Sequence, residues 1–159
     1  MGSTESVPGY RIIEVNPNSP ASDAGLRSYL DIIITANGVR LNSGPNFVNI
    51  LNKSNSCKVF LKVFNILDET IRETCVVPNT EWGGSGCLGA SIRYEEWKPD
   101  VGNVHVMKVF SNSPASRAGL IEEQDYILGT DEISIPTVDY LSKAIGKKES
   151  LDLYIYNTV

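Results

Sequence analysis

The sequence predicts an α+β protein of two tandem units, each a small twisted, mainly antiparallel sheet or partial barrel with one short and one longer helix. Three observations carry this. Val15-Asn16-Pro17-Asn18-Ser19-Pro20-Ala21-Ser22-Asp23-Ala24-Gly25-Leu26 returns as Val109-Phe110-Ser111-Asn112-Ser113-Pro114-Ala115-Ser116-Arg117-Ala118-Gly119-Leu120, an offset of 94 residues that extends to Asp31/Asp125 and Ile33/Ile127. Leu61-Lys62-Val63-Phe64-Asn65 is echoed by Leu153-Tyr154-Ile155-Tyr156-Asn157 at an offset of 92. Within each copy, short β-branched runs alternate with turn signals and two helical patterns. A period this long exceeds that of solenoid repeats, so each copy is a domain of its own.

Each copy opens on a strand, Tyr10–Val15 and Val104–Val109, rich in β-branched residues. A one-turn helix follows. Ser19 and Ser113 are placed to cap it, because a hydroxyl accepts an orphan backbone N–H. Pro20 and Pro114 take the first helical position, where a missing N–H costs nothing. Gly25 and Gly119 end it in the left-handed conformation. Strands follow at Asp31–Ala36 and Asp125–Thr130. The motif as a whole therefore reads as structural punctuation. A longer helix comes next: Phe47, Ile50 and Leu51 recur at i, i+3, i+4, as do Leu141, Ala144 and Ile145. Such a stripe is core unless something else claims it, and Ile50 and Leu51 cannot both point the same way. Strands over Lys58–Asn65 and Leu151–Asn157 follow, and the first copy adds a closing strand over Thr70–Val77.

Composition narrows the function. The 159 residues are 42% hydrophobic, enough for one sizeable core or two small ones. A net charge of −5 argues against nucleic acid, since phosphate binding needs a basic face. No apolar run approaches the ~20 residues that span a bilayer. Cys57, Cys75 and Cys87 are an odd number without C-x-x-C spacing, which predicts reduced thiols rather than a disulfide or zinc site. His105, the single histidine, lies in a Val-His-Val strand, so a catalytic triad is not expected. No His/Cys/carboxylate cluster has metal-ligand spacing, and no enzyme or cofactor is predicted.

Between the copies stands Trp82-Gly83-Gly84-Ser85-Gly86-Cys87-Leu88-Gly89-Ala90-Ser91-Ile92-Arg93-Tyr94. Four glycines among the eight residues Trp82–Gly89 suit a loop whose amides are open to an anion. No G-K-[ST] follows, which disfavours a nucleotide. A peptide carboxylate, held while the peptide adds a strand to the sheet, and a plain interdomain turn both fit the composition. Trp82 and Trp97 are expected to pack at the junction between the units, and Tyr94–Asp100 to be a solvated linker.

Two helices of these lengths on a small twisted sheet describe a PDZ domain. The Ser-Pro-Ala-x-x-Ala-Gly-Leu-x-x-x-x-Asp-x-Ile pattern resembles the circularly permuted branch found in HtrA-type and site-2 proteases. With W-G-G-x-G-x-L-G-x-S-I-R between two such repeats, the chain from Gly9 to Asn157 resembles the GRASP domain of Golgi reassembly and stacking proteins. Arg40-Leu41-Asn42, Val76-Val77-Pro78-Asn79 and Tyr154–Thr158 support the resemblance. It implies a peptide groove lined by Leu88, Gly89, Ala90, Ser91 and Ile92 and faced by Phe47, Ile50 and Leu51. It implies binding of golgin-type coiled-coil C-termini and of transmembrane cargo tails, self-association in trans, and a place on the cytoplasmic face of Golgi membranes with a role in secretion. The competing readings are a regulatory fragment of an HtrA-type or site-2-type protease and a generic PDZ adaptor.

Three further expectations follow. Residues 1–8 form a lipidation segment, because Met1-Gly2-Ser3-Thr4-Glu5-Ser6 fits the M-G-x-x-x-[ST] myristoylation pattern, although a cloning scar would look alike. Residues 9–95 form the first unit and 96–159 the second. The second stops where counterparts of Asp68–Tyr94 would begin, so it is expected to be either truncated or an unusually short variant and to leave the strand Leu153-Tyr154-Ile155-Tyr156 open for self-association. A side chain at Gly89, or Leu51→Ala, is expected to impair binding and leave the fold intact.

Overall fold

A computed structural model describes residues 6–42, 46–98, 104–130, 138–147 and 149–159. The described residues divide into two compact units, 6–97 and 98–159. In the first, β1 (Val7–Val15), α1 (Pro20–Asp23), β2 (Asp31–Ala36), β3 (Val39–Arg40), α2 (Asn46–Lys53), β4 (Val59–Asn65), β5 (Ile71–Val76) and β6 (Ala90–Trp97) follow in order. Their sheet runs β5-β4-β2-β1-β6, with β3 paired to β2 off that path. The second contains β7 (Val104–His105), α3 (Pro114–Arg117), β8 (Asp125–Thr130), α4 (Val138–Lys147) and β9 (Leu153–Asn157), with the sheet order β7-β8-β9. Every described pairing is antiparallel. The fold class is as expected: α+β, built twice.

The repeat is visible atom by atom. Ser19 Oγ accepts from the Ser22 N–H, and Ser113 Oγ from the Ser116 N–H, both at 3.1 Å. Gly25 and Gly119 take φ of +75° and +84°, as their place after a helix requires. The Asp31 carboxylate accepts the Arg27 N–H, and Asp125 accepts the Ile121 N–H, both at 2.8 Å. The two aspartates then diverge. Fully buried Asp31 takes a two-pronged ion pair from Arg72 of β5, at 2.9 and 2.6 Å. Asp125 is held instead by the Asn157 side-chain amide at 2.7 Å. A buried carboxylate needs such donors, because unpaired burial of its charge is costly.

The main core of the first unit gathers Tyr10, Ile12, Ile33, Leu41, Phe47, Leu51, Val59, Leu61, Val63, Val76 and Leu88 on the face covered by the helices. A smaller cluster of Ile32, Phe64, Ile66 and Trp97 lies on the other face. There Arg11 Nε stands 2.6 Å from Glu95 Oε1, and its guanidinium lies 5.2 Å from the Tyr29 ring centre. Burial lowers the Arg11 pKa, and Glu95 opposes that shift.

Four expectations are corrected. Tyr94–Asp100 is no linker through Trp97, because β6 pairs with β1 as far as Val7↔Trp97. Trp97 packs inside the first unit, its ring 5.1 Å from Phe64, since an inward position on an edge strand already offers an apolar wall. Trp82 belongs to its own loop, described below. The strand opening the second unit pairs for only two residues, Val104 and His105, rather than six. The two-residue strand β3 carried no run long enough to be foreseen.

Candidate peptide-binding site

β6 is an end strand of the sheet: β1 is its one strand neighbour among the described residues. The ladder runs Val15↔Ala90, Glu14↔Ser91, Ile12↔Ile92 and on to Val7↔Trp97, with a bulge between Ile12 and Glu14. An end strand has one row of N–H and C=O groups facing away from its neighbour, a template for another strand. Side chains alternate between faces. Ala90 and Ile92, half-buried, pack against the main core, as does Ile50 of α2. Tyr10 ties the two elements together, its ring 5.5 Å from Phe47 of α2 and 5.6 Å from Tyr94 of β6. Tyr94 in turn donates its hydroxyl to the Asn42 carbonyl at 2.7 Å, just ahead of the helix.

The glycine loop heads this strand. Trp82 folds back over it: its indole Nε1 donates to the Gly86 carbonyl at 2.9 Å, and its ring occupies the space a side chain at Gly84 would need. The Asn79 N–H donates to the Cys87 carbonyl at 2.9 Å. From the other side the repeated motif grips the loop. The Ala21 N–H donates to the Leu88 carbonyl at 2.9 Å, and the Asn16 N–H to the Gly89 carbonyl at 2.8 Å. Gly89 has φ +75°, and a Cβ there would overlap Ser19 Cβ. With the carbonyls of Leu88 and Gly89 engaged, their N–H groups find no acceptor among the described residues. Two successive amides of this kind can receive a carboxylate. The motif around Ser19 is thus punctuation with a second task, the seating of this loop.

The predicted residues separate accordingly. Leu88 is buried, Gly89 forms the turn, and Ala90 and Ile92 stand at the head of the strand on the helix side. Ser91 is exposed and alternation places it on the opposite face. Phe47 and Leu51, 0% and 4% exposed, are core, which leaves half-buried Ile50 as the one of the three that reaches the surface. This corrects the expectation that Leu51→Ala spares the fold, since a buried leucine cut to alanine costs about 2–5 kcal/mol. It corrects the expectation for Gly89 likewise, because any side chain there strikes Ser19. Sequence reasoning missed Tyr10, Trp82 and Ser19 as parts of the site. The Trp-Gly-Gly dipeptide steps were the only signal for Trp82, since an indole needs bare backbone to lie on.

Elsewhere, Gly2 lies outside the described residues. In the second unit, Leu153, Tyr154, Ile155 and Tyr156 form β9, whose strand neighbour among the described residues is β8. The ring of His105 stacks on Tyr126 at 4.2 Å, and its Nε2 lies 2.8 Å from the Glu123 carbonyl. Cys57, Cys75 and Cys87 are free thiols. No helix among the described residues is long and apolar enough to cross a membrane.

A doubled permuted unit with a glycine-headed end strand beside a helix defines the chain as a tandem PDZ-like protein. It matches the GRASP55/65 PDZ-like domain over residues 3–96 and again over 86–159, and it belongs to that family. It is 40% identical over 153 residues to Golgi reassembly-stacking protein 1 of Mus musculus and 39% identical to that of Homo sapiens, each alignment covering 94% of this chain. It is 32% identical over 152 residues to an uncharacterized protein of Schizosaccharomyces pombe, again over 94% of this chain. The aligned part is 34% and 35% of the mammalian proteins and 43% of the yeast protein, so the chain spans about a third of the mammalian relatives' length.

Proposed function

We propose that the chain is a non-catalytic membrane-tethering scaffold of Golgi membranes that captures C-terminal peptides on β6 of its first unit. The observation that carries this reading is the pair of Leu88 and Gly89 amides without an internal acceptor, at the head of a strand with an open edge. A peptide entering there adds a strand through backbone hydrogen bonds, while its terminal carboxylate meets the two amides. Ile50, Ala90 and Ile92 offer an apolar wall, so an aliphatic last residue is the preferred guest. Golgin-type coiled-coil tails and the tails of transmembrane cargo are the partners of that chemistry. A second copy of the chain, acting through β9, provides the trans contact. Such contacts are small and of micromolar strength or weaker on the order of single sites, and multivalency on a membrane strengthens them. Gly2, once acylated, supplies the anchor, and a single myristoyl chain needs a bound partner to hold firmly.

The test is aggregation of beads coated with the chain. Wild-type beads are expected to aggregate and Ile50→Asp beads to stay dispersed, with both proteins folded by circular dichroism. Dispersed wild-type beads, or equal aggregation of both, would overturn the reading.

A further inference from the structure

The sheet face opposite the helices carries apolar surface that the groove does not use. Phe60 is 62% exposed and Ile71 58%, unusual for inward-capable residues of paired strands. Around them lie two adjoining hollows of the first unit. One, of about 550 Å³, is lined by Thr35, Gly38, Phe60, Lys62, Glu73 and Cys75, among others. The other, of about 360 Å³, runs from Ser6, Val7 and Pro8 past Ile34 and Thr35 to Lys62 and Ile71. They share Thr35 and Lys62, so they form one trough whose mouth is the first described stretch of the chain.

We infer that this trough seats the chain's own Gly2-linked acyl group when the protein is off the membrane. The inference rests on the acylation of Gly2 proposed above. Gly2 lies four residues before Ser6, and four residues reach at most about 14 Å, so the mouth is within reach of an acyl group on Gly2. A saturated chain needs a long, narrow, apolar bed. Ile34 and Ile71 line one hollow and Phe60 the other, with Lys62 bordering both and Arg40 and Glu73 among the charged neighbours. Lys62 and Glu73 are partners in the ladder, which places charged residues beside the apolar bed. A peptide strand would gain less here, because the open strand edge, not this face, offers backbone partners. Seating and membrane insertion then compete for one acyl chain, and the free protein stays dispersed until a bilayer or bound partner shifts the balance.

The experiment uses the whole chain acylated by co-expression with an N-myristoyltransferase, with mass spectrometry reporting whether Gly2 carries the group. A chain that takes no acyl group overturns the anchor reading and this inference together. With acylation established, 13C-labelled myristoyl methylenes are expected to show nuclear Overhauser contacts to the Phe60 ring and the Ile71 methyls. Contacts from Phe60 to residues 98–159 or to another copy, or none to the acyl chain, would overturn the seating alone. Partition onto neutral phosphatidylcholine vesicles gives a second reading. The Phe60→Asp/Ile71→Asp variant is expected to bind severalfold more tightly than wild type when acylated, and both to bind negligibly when not. Unchanged partition would mean that the trough is empty, and weaker partition that this face touches the bilayer; either contradicts the seating. If the double variant fails to fold, the wild-type contacts decide.

Discussion

At the scale of single residues, Gly89 shows how one position serves both fold and site. Its positive φ and its contact with Ser19 leave no room for a side chain, and its carbonyl is committed to Asn16. Gly89→Ala is therefore expected to cost stability, about 1–3 kcal/mol from backbone strain and overpacking, as read from urea unfolding. A variant as stable as wild type would show that the loop can be rebuilt without that contact. Asp68 gives a pH-dependent counterpart on the surface. The Thr70 hydroxyl donates to its carboxylate at 2.6 Å and the Thr70 N–H at 3.1 Å, and the hydroxyl foremost holds its pKa below the ordinary value. A depressed carboxylate pKa contributes stability above the unfolded-state value and loses it as pH falls through the folded-state value. Thr70→Val removes the hydroxyl, so the Asp68 midpoint should rise in a carboxyl-carbon NMR titration. An unmoved midpoint would assign the shift elsewhere.

At the scale of elements, helix α2 carries both core residues and the residue proposed for recognition. Leu51 and Phe47 hold it to the core, whereas Ile50 is half-buried at the edge of that core. Leu51→Ala is expected to lower the unfolding free energy by about 2–5 kcal/mol, while Ile50→Ala is expected to cost less stability and to weaken peptide binding in calorimetry. The reverse assignment would place the groove on another face. Helical spacing announced the stripe of Phe47, Ile50 and Leu51, but spacing alone could not say which member faces the core. That depends on where Tyr10 stands, which strand pairing decides. The caps of α1 and α3 were legible for the opposite reason, since Ser-Pro and Gly act within one turn. The end of β6 was misjudged because the charged run Glu95-Glu96 suggested solvent, while Glu95 answers Arg11, a residue 84 positions away.

At the scale of the whole molecule, the doubling of the chain was plain in the repeat, and the two described halves differ around the glycine loop. In the first unit the glycine loop closes on α1 through Ala21 and Asn16. In the second, the counterparts Ala115 and Phe110 have no such backbone acceptor among the described residues. The proposed groove is placed in the first unit, on the amides of Leu88 and Gly89 at the head of β6. Chemical-shift mapping with a peptide ending in an aliphatic residue tests this most directly, using the free acid and its C-terminal amide in parallel. The free acid is expected to shift the amides of Leu88, Gly89 and the β6 strand through Ile92, and the amidated peptide to lose most of that effect. Shifts confined to residues outside this loop and strand, or equal shifts from both peptides, would contradict it.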